Sequence, residues 1–275
     1  MKKAMRIYLL ALLLGTAQSH AANEDTIVFS TAPTHSTEVT MKLYTPLVSF
    51  LTRVTGKKVV IEPASNFIEY SVRMRQGDYD MLFDGPHLVG WRMAELGHIP
   101  IARLPGTIKI VVVAREDSTV ATMQDLETGR NKVCAFASPN MLTMAFLSYY
   151  PHPARQPTLL RAQGFKELEQ CMRSERGDVA VLRDKLWNKM DQTGLKLVAA
   201  PERGYPERTF TISDKLDKDL RRRIAEAVMS EEGQKALQGV LKQFKKNELI
   251  KANPDDYVGL GSLLNMVWGF HAAIK

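Results

Sequence analysis

Asp84 and His87 stand three residues apart across Gly85-Pro86, so a carboxylate and an imidazole share one short turn. Such a pair could act as base and acid in a hydrolysis, or as two polar contacts for a bound solute. Plainer roles fit the same residues: Asp84 as the cap of a helix opening at Pro86, and His87 as an exposed turn residue. In the first turn of that helix His87 would face the positive end of a dipole, which disfavours its cation and leaves a neutral donor or acceptor. A second stretch, Ser138-Pro139-Asn140-Met141-Leu142-Thr143, repeats the plan of strand, polar turn and helix. Ser138 suits the N-cap and Pro139 the first helical position. The N–H groups of Asn140 and Met141 would then be free for an anion or another ligand oxygen. An ordinary β-to-α turn would look the same. No serine or cysteine nucleophile lies beside a histidine in a recognisable motif, and the six histidines are scattered without metal-ligand spacing. Neither catalysis nor a metal or other cofactor is expected.

Both turns need a scaffold that brings strand ends together. Residues 26–30, 58–62, 80–83 and 99–104 read as strands, alternating with helices at about 38–54, 67–75 and 86–96. Val39, Leu43, Leu47, Phe50, Leu51 and Val54 recur at helical spacing; Pro46 predicts a kink or a late start, and Gly56 a stop. The alternation predicts a parallel sheet with helices on both faces, and ligands of such sheets bind outside the carboxyl ends of the strands. Residues 107–114 form a β-branched run long enough to leave one lobe and enter another. Beyond it, strands at 158–160, 179–182 and 196–198 alternate with helices at about 140–149, 165–174 and 184–190. Residues 201–208 read as the return crossing and 208–212 as a strand rejoining the first lobe. Helices are expected at 217–229, 232–244 and 257–272, and Trp91 and Trp268 as packing residues on helices. Asp184 either caps its helix or reaches the cleft, and His35 in the turn 31–36 is either exposed or a ligand contact. The organisation is two α/β lobes: residues 22–107 plus 208–275 as lobe 1, and 108–207 as lobe 2 inserted into it.

Lys2, Lys3 and Arg6, the apolar residues 7–14 and the small-residue pattern of Ser19-His20-Ala21 match a cleaved signal peptide over residues 1–21. The apolar run is too short to span a bilayer. The chain has 37 Lys and Arg against 30 Asp and Glu, and the three cations of the leader account for part of that excess. Its longest like-charge block is Arg221-Arg222-Arg223, without interleaved aromatics, which argues against nucleic acid as a partner and for a solvated helix face. Cys134 and Cys171 are the only cysteines. In an oxidising compartment such a pair tends to close as a disulfide contributing roughly 3–4 kcal/mol; two free buried thiols are the alternative.

Tyr44-x-Pro46-Leu47 with Phe50-Leu51 and Thr55-Gly56, Gly77-Asp78-Tyr79-Asp80, the Gly85-Pro86 turn, Asp125-Leu126, Ser138-Pro139-Asn140 and Gly177-Asp178-Val179-Ala180 follow one another along the chain. With these motifs in this order the sequence resembles the periplasmic solute-binding proteins of phosphonate, phosphite and phosphate ABC transporters. The resemblance implies the type II periplasmic binding protein fold: two α/β lobes joined by two extended crossings, with a ligand cleft between them. It also implies a periplasmic location, a small-molecule ligand, and an ABC transporter permease or a membrane sensor as partner, with the protein a monomer. The expected cleft is lined by Tyr44, Phe67, Asp84, His87, Ser138, Asn140 and Thr143.

Relatives clasp a phosphonate with a run of Ser/Thr hydroxyls after Pro-Asn, where this chain has Met141-Leu142-Thr143. Asp84 stands where they place a tyrosine, Phe165 where a histidine is expected, and Phe67 lacks a hydroxyl. A carboxylate at Asp84 would repel a dianion unless it were protonated or paired. The sequence therefore predicts an altered site that binds phosphonate and phosphite weakly; the ligand is either a phosphate- or phosphonate-like oxyanion, as the resemblance implies, or a solute with a donor or cation for Asp84. Three functions compete: the capture module of an ABC importer, the same module serving a membrane sensor, and a periplasmic hydrolase using Asp84 and His87, for which no nucleophile is in view.

Overall fold

The computed structural model describes residues 26–128 and 130–270. The expected signal peptide at 1–21 lies outside them, as does the end of the helix expected at 257–272. The chain begins with β1 (Thr26–Thr31), α1 (Thr37–Thr55), β2 (Lys58–Ile61), α2 (Phe67–Gln76), β3 (Met81–Asp84), α3 (Pro86–Leu96) and β4 (Ile99–Arg103). After β5 (Thr107–Ile108) come β6 (Ile110–Arg115), β7 (Lys132–Phe136), α4 (Met141–Leu147), β8 (Thr158–Ala162), α5 (Phe165–Arg173), β9 (Val179–Arg183), α6 (Asp184–Trp187) and β10 (Leu195–Ala199). The return runs through β11 (Tyr205–Pro206) into β12 (Thr209–Ile212), α7 (Lys218–Met229), α8 (Glu231–Ala236), α9 (Gln238–Gln243) and β13 (Ile250–Lys251).

Two sheets result. One is ordered β13-β4-β12-β3-β1-β2, the other β10-β6-β9-β7-β8, and the two crossings pair with each other as the ribbon β11-β5. The molecule has the type II periplasmic binding fold, but neither sheet is purely parallel. β1, β2 and β3 run parallel, whereas β12 is antiparallel to both β3 and β4. In the second sheet β7, β8 and β9 run parallel and β6 runs against β9. For β6 and β12 the cause is the crossing itself: a strand entering a lobe directly from the other one has no crossover helix to reverse it; β13 also pairs antiparallel with β4, at the sheet edge.

α1 packs on one face of the first sheet with α7, α8 and α9, burying Tyr44, Leu47, Phe50 and Leu51 against Phe29, Phe83 and Phe210. That burial carries the helix unbroken through Pro46, because one lost backbone hydrogen bond is small beside several fully buried side chains. Gly56 ends α1 in the left-handed conformation at φ 71°, as expected. On the opposite face, α2 and α3 share a core with lobe 2 residues such as Val112, Leu142 and Phe146. Between the lobes lies the C-terminal segment, two 3-10 turns at Pro254–Tyr257 and Leu260–Leu264 in place of the expected helix. Gly259 has φ 76° there. A Cβ on Gly90 of α3 would meet the Tyr257 carbonyl at 2.6 Å and the Gly261 nitrogen at 2.8 Å, so the segment lies directly on the α3 backbone.

Two other expectations change. The single helix at 232–244 is broken at Leu237, whose side chain is fully buried. Trp268 is 80 % exposed, with the Arg75 guanidinium over its ring, and is not a buried packing residue. Cys134 of β7 and Cys171 of α5 form a disulfide, which ties that helix to its sheet.

Candidate ligand-binding cleft

The two turns of interest lie at strand ends in different lobes. β3 ends at Asp84, Gly85 takes the N-cap position of α3, and Pro86 and His87 form its first turn. β7 ends at Phe136 and leads through the cis Ser138–Pro139 peptide to α4. They meet: His87 Nε2 lies 2.8 Å from the Pro139 carbonyl oxygen. A carbonyl can only accept, so Nε2 carries the proton and the imidazole is the neutral Nε2–H tautomer. Burial pushes the His87 pKa down to about 4, against the opposing pull of the Pro139 carbonyl and Asp84. Burial therefore keeps this ring neutral, a larger effect than the helix dipole invoked from sequence.

Asp84 is not a free carboxylate. It is fully buried, its two oxygens are each 2.8 Å from the Arg92 guanidinium of α3, and the Tyr70 hydroxyl donates to it as well. Burial first, and then the Asp84 charge, hold the Tyr70 phenol well above its ordinary range, so it stays a donor. Arg92 also donates to Thr211 Oγ1 at 3.1 Å. Nor does Asp84 cap α3, whose N-terminus has no side-chain cap. The repulsion anticipated for an oxyanion is thereby removed, because the charge is already paired inside lobe 1.

The helix start in the second turn also differs from expectation. Asn140, not Ser138, caps α4: its Oδ1 accepts from Leu142 N at 3.0 Å, and its own N–H goes to the Ala137 carbonyl at 3.1 Å. The N–H of Asn140 is thus spent within the turn. Ser138 is exposed, with its hydroxyl 3.9 Å from Met144 Sδ. Thr143 is buried and donates to the Phe136 carbonyl at 2.8 Å, which fixes α4 to its own strand. Met141 and Leu142 belong to the core between the lobes. Tyr44 is 3 % exposed and packs on Phe29 and Phe83, with burial raising its phenol to about 12. Phe67 is half-buried, edge-on to Tyr70. Of the seven residues expected in the cleft, His87, Ser138 and Asn140 lie where the turns converge. Asp84 lies beneath that point, and Tyr44 and Thr143 point into the cores of their own lobes. Asp184 accepts from the Lys185 N–H at 2.7 Å, a local turn bond.

The family described as "ABC transporter, phosphonate, periplasmic substrate-binding protein" matches residues 29–257. The chain belongs to this family. Membership makes it a periplasmic substrate-binding component with a small-molecule ligand and a permease partner. Among solved structures, XAC2383 from Xanthomonas citri bound to ATP superposes with a TM-score of 0.69 at 12 % identity, covering 87 % of this chain and 95 % of that one. PhnD1 from Prochlorococcus marinus in complex with methylphosphonate gives 0.64 at 16 %, over 88 % and 98 %. A binding protein component of an ABC phosphonate transporter from Pseudomonas aeruginosa, PA3383, gives 0.59 at 13 %, over 86 % and 85 %. No curated protein sequence matches the chain at a significant level. Among the described residues, no helix is long and apolar enough to cross a membrane.

Within this family member one residue at the same sheet edge escaped the sequence reading. Arg208 is the last residue before β12, whose Thr209 is in register with Asp84. Its Nη2 donates to Thr34 Oγ1 at 3.3 Å in the turn after β1, and its guanidinium lies over the Phe244 ring. Nothing in the return crossing marks this arginine; its setting is visible only once β12 is seen between β3 and β4.

Proposed function

We propose that the chain is the periplasmic capture component of an ABC importer, exported by a cleaved signal at residues 1–21. As a monomer, it would close lobe 1 (22–107 plus 208–275) and lobe 2 (108–207) on a small solute bearing an oxyanion. The reading rests above all on the bond from His87 to the Pro139 carbonyl. It joins two strand-end turns of separate lobes, the position at which hinge-closing proteins of open α/β sheets hold a ligand. The internal pairing of Asp84 by Arg92 supports an anionic ligand, since no unpaired carboxylate opposes it there. The same pairing tells against hydrolysis through an Asp84–His87 couple: the Asp84 carboxylate is committed to Arg92 and Tyr70 and is not available as a base. The experiment is mass spectrometry of the solute that co-purifies with the mature protein, followed by thermal-shift titration with phosphate, methylphosphonate and phosphate esters. Ligand binding raises the melting temperature with the logarithm of concentration. A stabilising anion supports the proposal, and a panel in which no small solute stabilises the protein defeats it. A sensor role would show instead as capture of the loaded form by a membrane receptor encoded beside it.

A further inference from the structure

We infer that Arg208 is the anion anchor of this cleft, a binding residue that substitutes for the missing hydroxyl clasp. The inference rests on the capture reading above. Arg208 enters from the first residue before β12, and its backbone is pinned by the bond from the Leu104 N–H to its carbonyl at 3.0 Å. From there the side chain passes over the end of β3, the central neighbour of β12, to the turn that follows β1. It thus spans the rim of the sheet beside the Asp84-to-His87 turn, at the carboxyl ends of β1 and β3, where a ligand of this fold sits.

Its bonding is incomplete for a guanidinium in such a place. Five N–H donors are available. Among the described residues Arg208 has one side-chain hydroxyl at 3.3 Å, an aromatic face, and no ion pair. Two arginines near the crossings are more fully bonded: Arg183 pairs with Glu207 at 2.7 Å, and Arg103 donates to the carbonyls of Leu104 and Gly106. Two acids on the neighbouring backbone are also occupied, Glu207 by Arg183 with Lys246 at 3.8 Å, and Asp84 by Arg92. Arg208 is left without a counter-charge among the described residues, and a planar guanidinium matches the two oxygens of a phosphonate or phosphate. Its field is felt around it. Burial and then Arg208 lower the His35 pKa, and Arg208 also opposes protonation of His87. His35 is half-buried, in ring-nitrogen contact with Gln243 Nε2 at 3.1 Å, and so reports on the charge beside it.

The test is calorimetry on the mature chain, its Arg208→Gln and Arg208→Lys variants, with methylphosphonate, inorganic phosphate and acetate as probes. The wild type should bind at least one anion, and Arg208→Gln should bind it roughly 10- to 100-fold more weakly, the size of a lost charge-assisted contact. Arg208→Lys should fall between them because it keeps the charge and loses the fork. In NMR titrations of the wild type, the bound anion should raise the His35 pKa by cancelling the cation that opposes its protonation. This readout needs no variant to fold. Wild-type-like affinity in a folded Arg208→Gln, or an unmoved His35 in the anion complex, overturns the assignment of Arg208 and leaves the capture reading intact. A wild type that takes only uncharged solutes does the same, whereas a wild type that takes no small solute defeats both.

Discussion

Replacing Asp84 should damage the fold of lobe 1 and leave the binding site nearly untouched. Both oxygens of Asp84 are 2.8 Å from Arg92 nitrogens, and both side chains are completely buried. Removing one member of such a pair leaves an unpaired charge in a medium that solvates it poorly, at a cost of about 3–5 kcal/mol. Asp84→Asn keeps the shape and removes only the charge, so its loss isolates that term; Arg92→Met should cost a similar amount. Joint replacement by apolar residues, Asp84→Leu with Arg92→Met, removes both charges and should fall within about 2 kcal/mol of the wild type. Urea denaturation of these proteins, with Asp84→Leu alone added to close the cycle, gives the coupling between the sites. Calorimetry on the folded fraction of Asp84→Asn should return ligand affinity within about threefold of the wild type, since distant or unshared contacts are nearly additive. Asp84→Asn stability within about 1 kcal/mol of the wild type, together with a large loss of ligand affinity, would refute the structural role and restore Asp84 as a ligand contact.

His87 gives a pH prediction of definite sign: its pKa is near 6.5 in the unfolded chain and about 4 in the folded one. Between those values only the unfolded state takes up the proton, so stability falls as pH drops from 6.5 towards 4, by roughly 3 kcal/mol. His98, lowered to about 3 by burial and then by Arg92 and Lys215, adds to the same slope. Urea midpoints across this range should decline, less steeply in His87→Gln; a level profile would contradict the burial. Breaking the Cys134–Cys171 disulfide by paired alanine substitution should lower stability by roughly 3–4 kcal/mol, given the 37-residue separation, measured by guanidinium denaturation. Gly90→Ala should lift the C-terminal segment off α3 at a cost of about 1–3 kcal/mol, read as faster hydrogen exchange over residues 254–264.

Much of the fold was legible because local signals agreed with tertiary demands. The turn at Gly85-Pro86 and the apolar spacing behind it define α3 at both ends, and Gly56 and Gly77 close α1 and α2. Legibility failed where two residues competed for one role. Ser138 and Asn140 are both good caps, and Asn140 holds the position with its bond to Leu142 N. It failed again where the partner is distant in space: Asp84 is paired by Arg92 on the next helix, a contact that decides whether the site repels an anion, and no spacing rule reports it. Arg208 is the converse, a cation identified by the acid it lacks. The C-terminal helix expected from apolar content gave way because Gly90 and Gly261 let two backbones touch, a geometry that packing sets and periodicity does not.

The place of β12 between β3 and β4 bears on how the chain acquires its shape. The two strands it joins are made early and in succession, yet they lie on either side of a gap that only a segment beyond the whole of lobe 2 can fill. Until that segment arrives, the first sheet has two open edges in its middle and cannot close its hydrogen bonding. Contacts of such long sequence separation form slowly. A polypeptide built this way stays threadable through most of its synthesis and locks only when its last quarter is present.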